Sequence, residues 1–265
     1  MSRDKEIRIR TDGSERVALA GYTVIGDRDE QQDVLCYLLD ERGCLALVCD
    51  GMGGQSGGAL AAQTAAETVQ KRYESCPDPQ DSLQSVIEAV READRQIAAL
   101  TDEQGRPLEA GSTVTAVLVQ DCRLGWCSVG DSRAYLMRGA DLVQFTQDQN
   151  YKSVLDEQRK LGLIGEEEYR KESCYGNTLI SYLGIGNLEL IDYSSPLFSL
   201  EEGDRLLLAS DGLYRVLSEE DICGVLTDFN NPEDALAVLE QKAGERAENA
   251  GILRDNTSVI LITVK

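Results

Sequence analysis

Residues 45–65, LALVCDGMGGQSGGALAAQTA, set an apolar run and an aspartate against a glycine cluster and then an alanine-rich helix. A carboxylate beside backbone that glycine forms most freely raises the question of what it faces. Glycines ahead of a helix suit a phosphate, because amide N–H groups close on an anion and the helix N-terminus favours negative charge. Asp50 opposes that reading. No Lys-Ser/Thr follows the glycines as in a P-loop, and a carboxylate aimed into the turn repels phosphate unless a cation stands between them. The stretch points to a metal first and a phosphate second.

The pattern recurs downstream. LALVCDG ends at Asp50-Gly51, WCSVGDS at Asp131-Ser132 and LLLASDG at Asp211-Gly212, each an apolar strand-like run that stops at an aspartate. Asp33 lies in the turn before VLCYLL, and Asp255 stands just before the last strand in RDNTSVILI. A single aspartate at a strand end is ordinarily a turn former that bonds nearby N–H groups. If these ends converge on one rim, the carboxylates repel one another and their pKa values rise, unless a divalent cation neutralises them. An all-oxygen ligand set selects hard ions, so Mg2+ or Mn2+ is expected over zinc or copper.

Composition narrows the chemistry. The 265 residues are 42% hydrophobic and 28% charged, enough for a sizeable core, and the formal net charge of −21 opposes binding to nucleic acid or an anionic membrane. The chain has no histidine, which excludes Ser-His-Asp and Cys-His triads and any imidazole acid. Its eight cysteines form no C-x-x-C pair and several lie in apolar runs, which suits buried reduced thiols and not a zinc site. No apolar run approaches the roughly 20 residues of a membrane span, and MSRDKEIRIRTDGSERV lacks the apolar core of a signal peptide, so a cytoplasmic protein is expected.

Runs rich in Val, Ile and Leu start at Val17, Val34, Cys44, Ser112, Arg123, Ala134, Arg205 and Thr257 and read as strands. QDCRLG and MRGADL read as hairpin connections. Helices are expected after the glycine loop, over the face formed by Leu83, Val86, Ile87, Val90, Ile97 and Leu100, after a Ser218–Asp221 capping box, and from an Asn231 N-cap with Pro232 at the first position. The order suits one α+β layered domain over residues 1–265, without linker or repeat. Residues 151–176 stand apart as a charged segment with Glu166–Arg170 and Glu167–Lys171 at helical spacing. That segment reads as a solvated helical excursion, or as a flap that grips or screens a substrate.

DGMGG from Asp50, GSTVTAVLV from Gly111, VGDSRAYL from Val129, FTQDQ from Phe145, LLLASDGLYRVLS from Leu206 and DNTSVILI from Asp255 follow one another in order. Together they resemble the motifs of the bacterial metal-dependent Ser/Thr protein phosphatases, the protein phosphatase 2C or PPM family, over roughly residues 20–264. The resemblance implies a four-layer α-β-β-α sandwich, two antiparallel sheets flanked by helices, with a two-metal site at one end. It implies that Asp50 bridges two Mn2+ or Mg2+ ions, that the Gly51 carbonyl ligates one, and that Asp211 and Asp255 bind the other. Asp33 matches an aspartate that holds metal-bound water, and Asp131 matches the carboxylate that supports, with Asp211, a third and weaker ion. Arg28 matches the arginine that contacts the substrate phosphate; within GDRDE, a surface salt bridge to Asp27, Asp29 or Glu30 is the competing reading.

The implied activity is hydrolysis of phosphoserine and phosphothreonine in a phosphorylated protein by a water activated between two ions, counteracting a Ser/Thr kinase. A cytoplasmic monomer is expected. On this reading the glycines after Asp50 are there because side chains would block the ions and the phosphate. Four positions depart from the family pattern: Gln32 lacks a ligand carboxylate, Gln55 and Gln149 stand where histidine is frequent, and Met52 stands where animal relatives carry a proposed histidine acid. Proton delivery to the leaving alkoxide is then expected from a metal-bound water near Asp131. The alternative is a catalytically silent phosphatase-fold protein that binds a phosphoprotein or regulatory partner. A nucleotide-binding protein would need a P-loop lysine or a ribose-binding acid, and neither is present.

Overall fold

The computed structural model describes residues 10–54 and 57–265. Its first strands are β1 (Arg10–Gly13), β2 (Val17–Val24), β3 (Asp33–Asp40) and β4 (Gly43–Gly53), followed by the helices α1 (Gly57–Ser75) and α2 (Ser82–Ala98). Five strands follow, β5 (Ala110–Ser112), β6 (Val114–Gln120), β7 (Arg123–Val129), β8 (Arg133–Arg138) and β9 (Asp141–Gln144). The charged segment holds α3 (Tyr151–Lys160) and α4 (Glu166–Glu172). The chain closes with β10 (Asp192–Tyr193), β11 (Phe198–Ser199), β12 (Arg205–Ala209), α5 (Asp211–Tyr214), α6 (Glu219–Asp228), α7 (Pro232–Ala250) and β13 (Thr257–Val264).

One sheet runs β1-β2-β13-β12-β8-β9 and the other β10-β7-β6-β4-β3, with β5 on β4 and β11 on β7. Every pairing is antiparallel. Side chains alternate along each strand, so both faces of both sheets must be covered. Leu19, Ile260 and Ile262 of one sheet pack against Ala46, Val48 and Val117 of the other. On the outer faces, Leu45, Leu47 and Ala116 receive Ala61, Ala65 and Val69 of α1 and Val86 and Val90 of α2. Tyr22, Leu207 and Leu261 receive Ile222 and Leu226 of α6 and Leu236 and Leu239 of α7. The result is the expected α-β-β-α sandwich. Burial on both faces is why β4, β6, β12 and β13 read as unbroken apolar runs.

Local signals act as expected. Ser218 and Asp221 cap α6 reciprocally, and the Asn231 side chain accepts from the N–H groups of Glu233 and Asp234 at the start of α7. The β6–β7 hairpin turns on Asp121 and Cys122, both at positive φ (47° and 57°), as a two-residue turn between right-twisting strands requires. Among the described residues no helix is long and apolar enough to cross a membrane. All eight cysteines are free thiols, but Cys122 and Cys174 are exposed, so burial does not account for every one.

Three expectations change. β4 does not stop at Asp50; it continues to Gly53 because β5 pairs with Gly51, Met52 and Gly53. Asp33 is not in a turn but opens β3, and Asp211 opens a one-turn helix.

Candidate metal centre

The aspartates reach one end of the sandwich from separate elements. Asp50 within β4 and Asp33 at the start of β3 are direct cross-strand partners, a placement that is destabilising for two like charges. Asp50, Asp131, Asp211 and Asp255 line a cavity of about 500 Å3 together with Gly51 and Arg28. Asp33 lies behind its wall, 4% exposed, with its Oδ2 accepting a 2.7 Å hydrogen bond from Ser210. The structure thus brings the five aspartates, Gly51 and Arg28 to one end of the sandwich.

Their electrostatics follow from burial first and mutual repulsion second. Burial pushes Asp33 up to about 7; the Ser210 hydroxyl works against the rise and the neighbouring Asp211 adds to it. Asp50 is held well above the carboxylate range by burial and then by Asp33, Asp211, Asp131 and Asp255. Asp211 is pushed up to about 6 by burial, with Arg215 offsetting part of the effect. Burial also raises Asp131, again opposed by Arg215.

The backbone beneath the carboxylates is fixed by residues to which the sequence reading gave no role. Thr113 Oγ1 accepts from the Asp50 N–H at 2.9 Å and shares a 2.8 Å hydrogen bond with Ser132 Oγ beside Asp131. Asn256 Oδ1 accepts from the Gln32 N–H, and its Nδ2 donates to the carbonyls of Ile25 and Glu30, which fastens the loop that carries Arg28. Gln149 is buried and off the cavity. Its Oε1 accepts from the Gly130 N–H and its Nε2 donates to the Ser128 carbonyl, so it braces the turn of Asp131. Glycine at 51 has a reason beyond access for ions: a Cβ there would lie 2.1 Å from the Gly58 carbonyl oxygen and 2.6 Å from that of Gln32.

Arg28 does not pair with the acidic residues beside it in sequence; its Nη2 lies 2.6 Å from Asp255 Oδ2. Arg215, which the sequence reading passed over, lies 2.6 Å from Asp211 Oδ2 and 3.6 Å from Asp131 Oδ2. Its signal was a basic residue one helical turn after Asp211 in SDGLYR. Gln32 and Met52 line the cavity, and Gln32 donates to Glu30 and to the Gly53 carbonyl. Gln55 lies outside the described residues. Of the charged segment, no residue between 151 and 176 lines the cavity; Asn177 and Leu179, just beyond it, do.

The donor set fits a hard divalent cation. Asp33 Oδ1 and Asp211 Oδ1 are buried without a hydrogen-bond partner, and carboxylates in that condition call for positive charge. The side chains do not form a closed cage: among the described residues no three His, Cys, Asp or Glu side chains stand in ligating array, Asp211 and Asp255 being drawn onto Arg215 and Arg28.

Known proteins share this fold. Over 196 residues the chain is 32% identical to the serine/threonine protein phosphatase PstP of Mycobacterium tuberculosis, covering 74% of this chain and 37% of PstP, so it spans little more than a third of that relative. It is 27% identical over 243 residues to the protein phosphatase PhpP of Streptococcus pneumoniae, covering 89% of this chain and 93% of PhpP. The structure of the S. agalactiae serine/threonine phosphatase superposes with a TM-score of 0.81 at 26% identity, over 94% of this chain and 100% of that one. The catalytic domain of PstP in complex with two manganese ions superposes with a TM-score of 0.76 at 27% identity, over 94% and 98% of the two chains. The family model described as protein phosphatase 2C matches residues 20–247, and the chain belongs to that family.

Proposed function

We propose that this chain is a Mn2+- or Mg2+-dependent protein phosphatase that hydrolyses phosphoserine and phosphothreonine. One observation carries the reading: Asp33 and Asp50 face each other across a strand pair, beside Asp131, Asp211 and Asp255, with buried oxygens that lack a partner. Asp50, the Gly51 carbonyl, Asp211 and Asp255 would hold two ions, with Asp33 behind them holding bound water; the PstP catalytic domain is in complex with two manganese ions. When bound, the metal pair supplies an activated water and positive charge at phosphorus.

The chain's own residues do the rest. Thr113 fixes the Asp50 backbone, and Asn256 fixes the loop that presents Arg28 at the cavity. The Arg28 side chain is 61% exposed, and its planar fork is free to exchange Asp255 for two phosphoryl oxygens. Met52 lines the cavity and has no proton to give, so the leaving alkoxide takes its proton from solvent in the cavity. A net charge of −21 gives no long-range attraction for acidic phosphoproteins, so recognition is local. The setting we propose is a bacterial cytoplasm, with the chain acting as a monomer that opposes a Ser/Thr kinase.

The test is phosphate release from a phosphothreonine peptide by wild type and Asp50→Asn, each with Mn2+ and with EDTA. Release that needs both Mn2+ and Asp50, with a drop of roughly 10³-fold in the variant, is expected. A folded, Mn2+-binding wild type that retains the peptide and releases no phosphate would instead identify the silent binder, with Gln32 and Met52 as the places where activity was lost.

A further inference from the structure

Arg215 stands where the family resemblance puts a third, weaker ion. That ion would rest between Asp131 and Asp211, and the Arg215 guanidinium lies 2.6 Å from Asp211 Oδ2 and 3.6 Å from Asp131 Oδ2. It lines the same cavity as both carboxylates. Its position is built into the fold and does not follow from the reach of a long side chain alone. Residue 214 ends the one-turn helix α5, and the Tyr214 hydroxyl donates to the Asp131 backbone carbonyl at 2.9 Å. The Arg133 guanidinium stacks on the Tyr214 ring at 3.8 Å and is itself fastened to Asp148 at 2.7 Å. This chain of contacts ties α5 to the Asp131 turn, so the next residue, Arg215, is delivered between the two carboxylates.

The charge balance points the same way. The Asp131 and Asp211 side chains are 5% and 10% exposed, so their attraction for a fixed cation is screened little by water. A divalent ion entering between them would have to displace a guanidinium that is always protonated and is covalently part of the site. No such cation attends the other pair: neither Asp33 nor Asp50 forms an ion pair among the described residues.

We propose that Arg215 replaces a third divalent ion in this chain, so that the protein binds two ions and no more. The inference rests on the two-metal reading above. It assigns Arg215 a positioning role: it holds Asp211 and Asp131 at fixed orientation and keeps one positive charge on the cavity wall where a dissociable ion would otherwise sit. It also removes a third-ion water as the source of the proton for the leaving group.

Mn2+ binding to the full chain, counted by equilibrium dialysis and titration calorimetry, tests this without reference to turnover. Wild type should saturate at two Mn2+, and Asp131→Asn should leave that count unchanged. Arg215→Ala should gain a third, weaker Mn2+, and Arg215→Ala/Asp131→Asn should lose it again. If the alanine variant does not fold, Arg215→Gln, which keeps the length and drops the charge, takes its place. A wild type that binds three Mn2+ and falls to two in Asp131→Asn would overturn the proposal, as would an Arg215 variant that stays at two. A wild type that binds no Mn2+ would overturn the two-metal reading itself, so the two failures are distinguishable.

Discussion

The acidic end of the sandwich has two halves that meet the same difficulty differently. Asp131 and Asp211 share the guanidinium of Arg215, a cation carried by the chain. Asp33 and Asp50 face each other across β3 and β4; Asp33 is relieved by the hydroxyls of Ser210 and Ser258, while Thr113 accepts from the Asp50 amide and gives its carboxylate no donor. Asp33, Asp131 and Asp211 are all buried, so burial does not explain the difference; the presence of a built-in cation does. One half sets one fixed positive charge against two carboxylates; the other has none, so ionising it stores repulsion that a metal from solution can release.

That contrast is broken most directly by pH. In EDTA-treated protein Asp33 is pushed up to about 7 and Asp211 to about 6, both from an ordinary value of 3.8. Between those limits the folded chain binds protons that the unfolded chain has lost, so stability falls as pH rises from about 4 to about 7. The loss should amount to a few kcal/mol, read as a falling urea midpoint. Asp33→Asn should flatten the slope by removing the carboxyl that titrates at about 7, and Mn2+ should reverse it by favouring the ionised carboxylates. A slope that Asp33→Asn leaves unaltered would show that protonation of Asp33 does not set it.

Thr113 sharpens the comparison, since it braces Asp50 through its backbone and touches the Asp131 half through Ser132. Thr113→Val keeps the shape and leaves the Asp50 N–H without its acceptor. A stability loss of about 1–3 kcal/mol and Mn2+ affinity lowered roughly 10–100-fold are expected. Denaturant melts and Mn2+ titration would measure them; unchanged affinity with lowered stability would make Thr113 a brace for the fold alone.

How much of this was readable beforehand depended on the range of the interaction. β2, β12 and β13 announce themselves because each is a short apolar run bounded by turn residues, and the α6 and α7 caps lie within three residues of the helix starts they serve. The aspartates at 50, 131 and 211 were visible because an apolar run ending in a carboxylate is a local pattern. The Asp33–Asp50 pairing was not, since strand register is a tertiary property and the glycines after Asp50 hid the continuation of β4. Asn256 and Gln149 were hidden for a related reason. Their partners, Ile25 and Gly130, are 231 and 19 residues away, and an amide side chain gives no sign in sequence of which backbone it will hold. Arg215 was closest to being legible, one turn from Asp211, but the same spacing on any surface helix would be an ordinary ion pair.

Arg28 gives the smallest effect on stability and the finest discrimination. Its bond to Asp255 is as short as that of Arg215 to Asp211, 2.6 Å in both, yet the Arg28 side chain is 61% exposed and the Arg215 side chain 37%. Water and salt screen the outer pair, so Arg28→Ala should change stability by less than about 1 kcal/mol, a shift of roughly 2–4 °C at most in Tm. If Asp255 were its only purpose, turnover would be equally indifferent. If the guanidinium instead leaves Asp255 for the phosphoryl group, kcat/KM on a phosphothreonine peptide should fall on the order of tenfold or more, the size expected for a lost charge-assisted hydrogen bond. Arg28→Lys should recover only part of that loss, because an ammonium keeps the charge and lacks the planar fork. A variant with wild-type kcat/KM would return Arg28 to the status of a surface ion pair and leave Arg215 as the arginine that matters to this cavity.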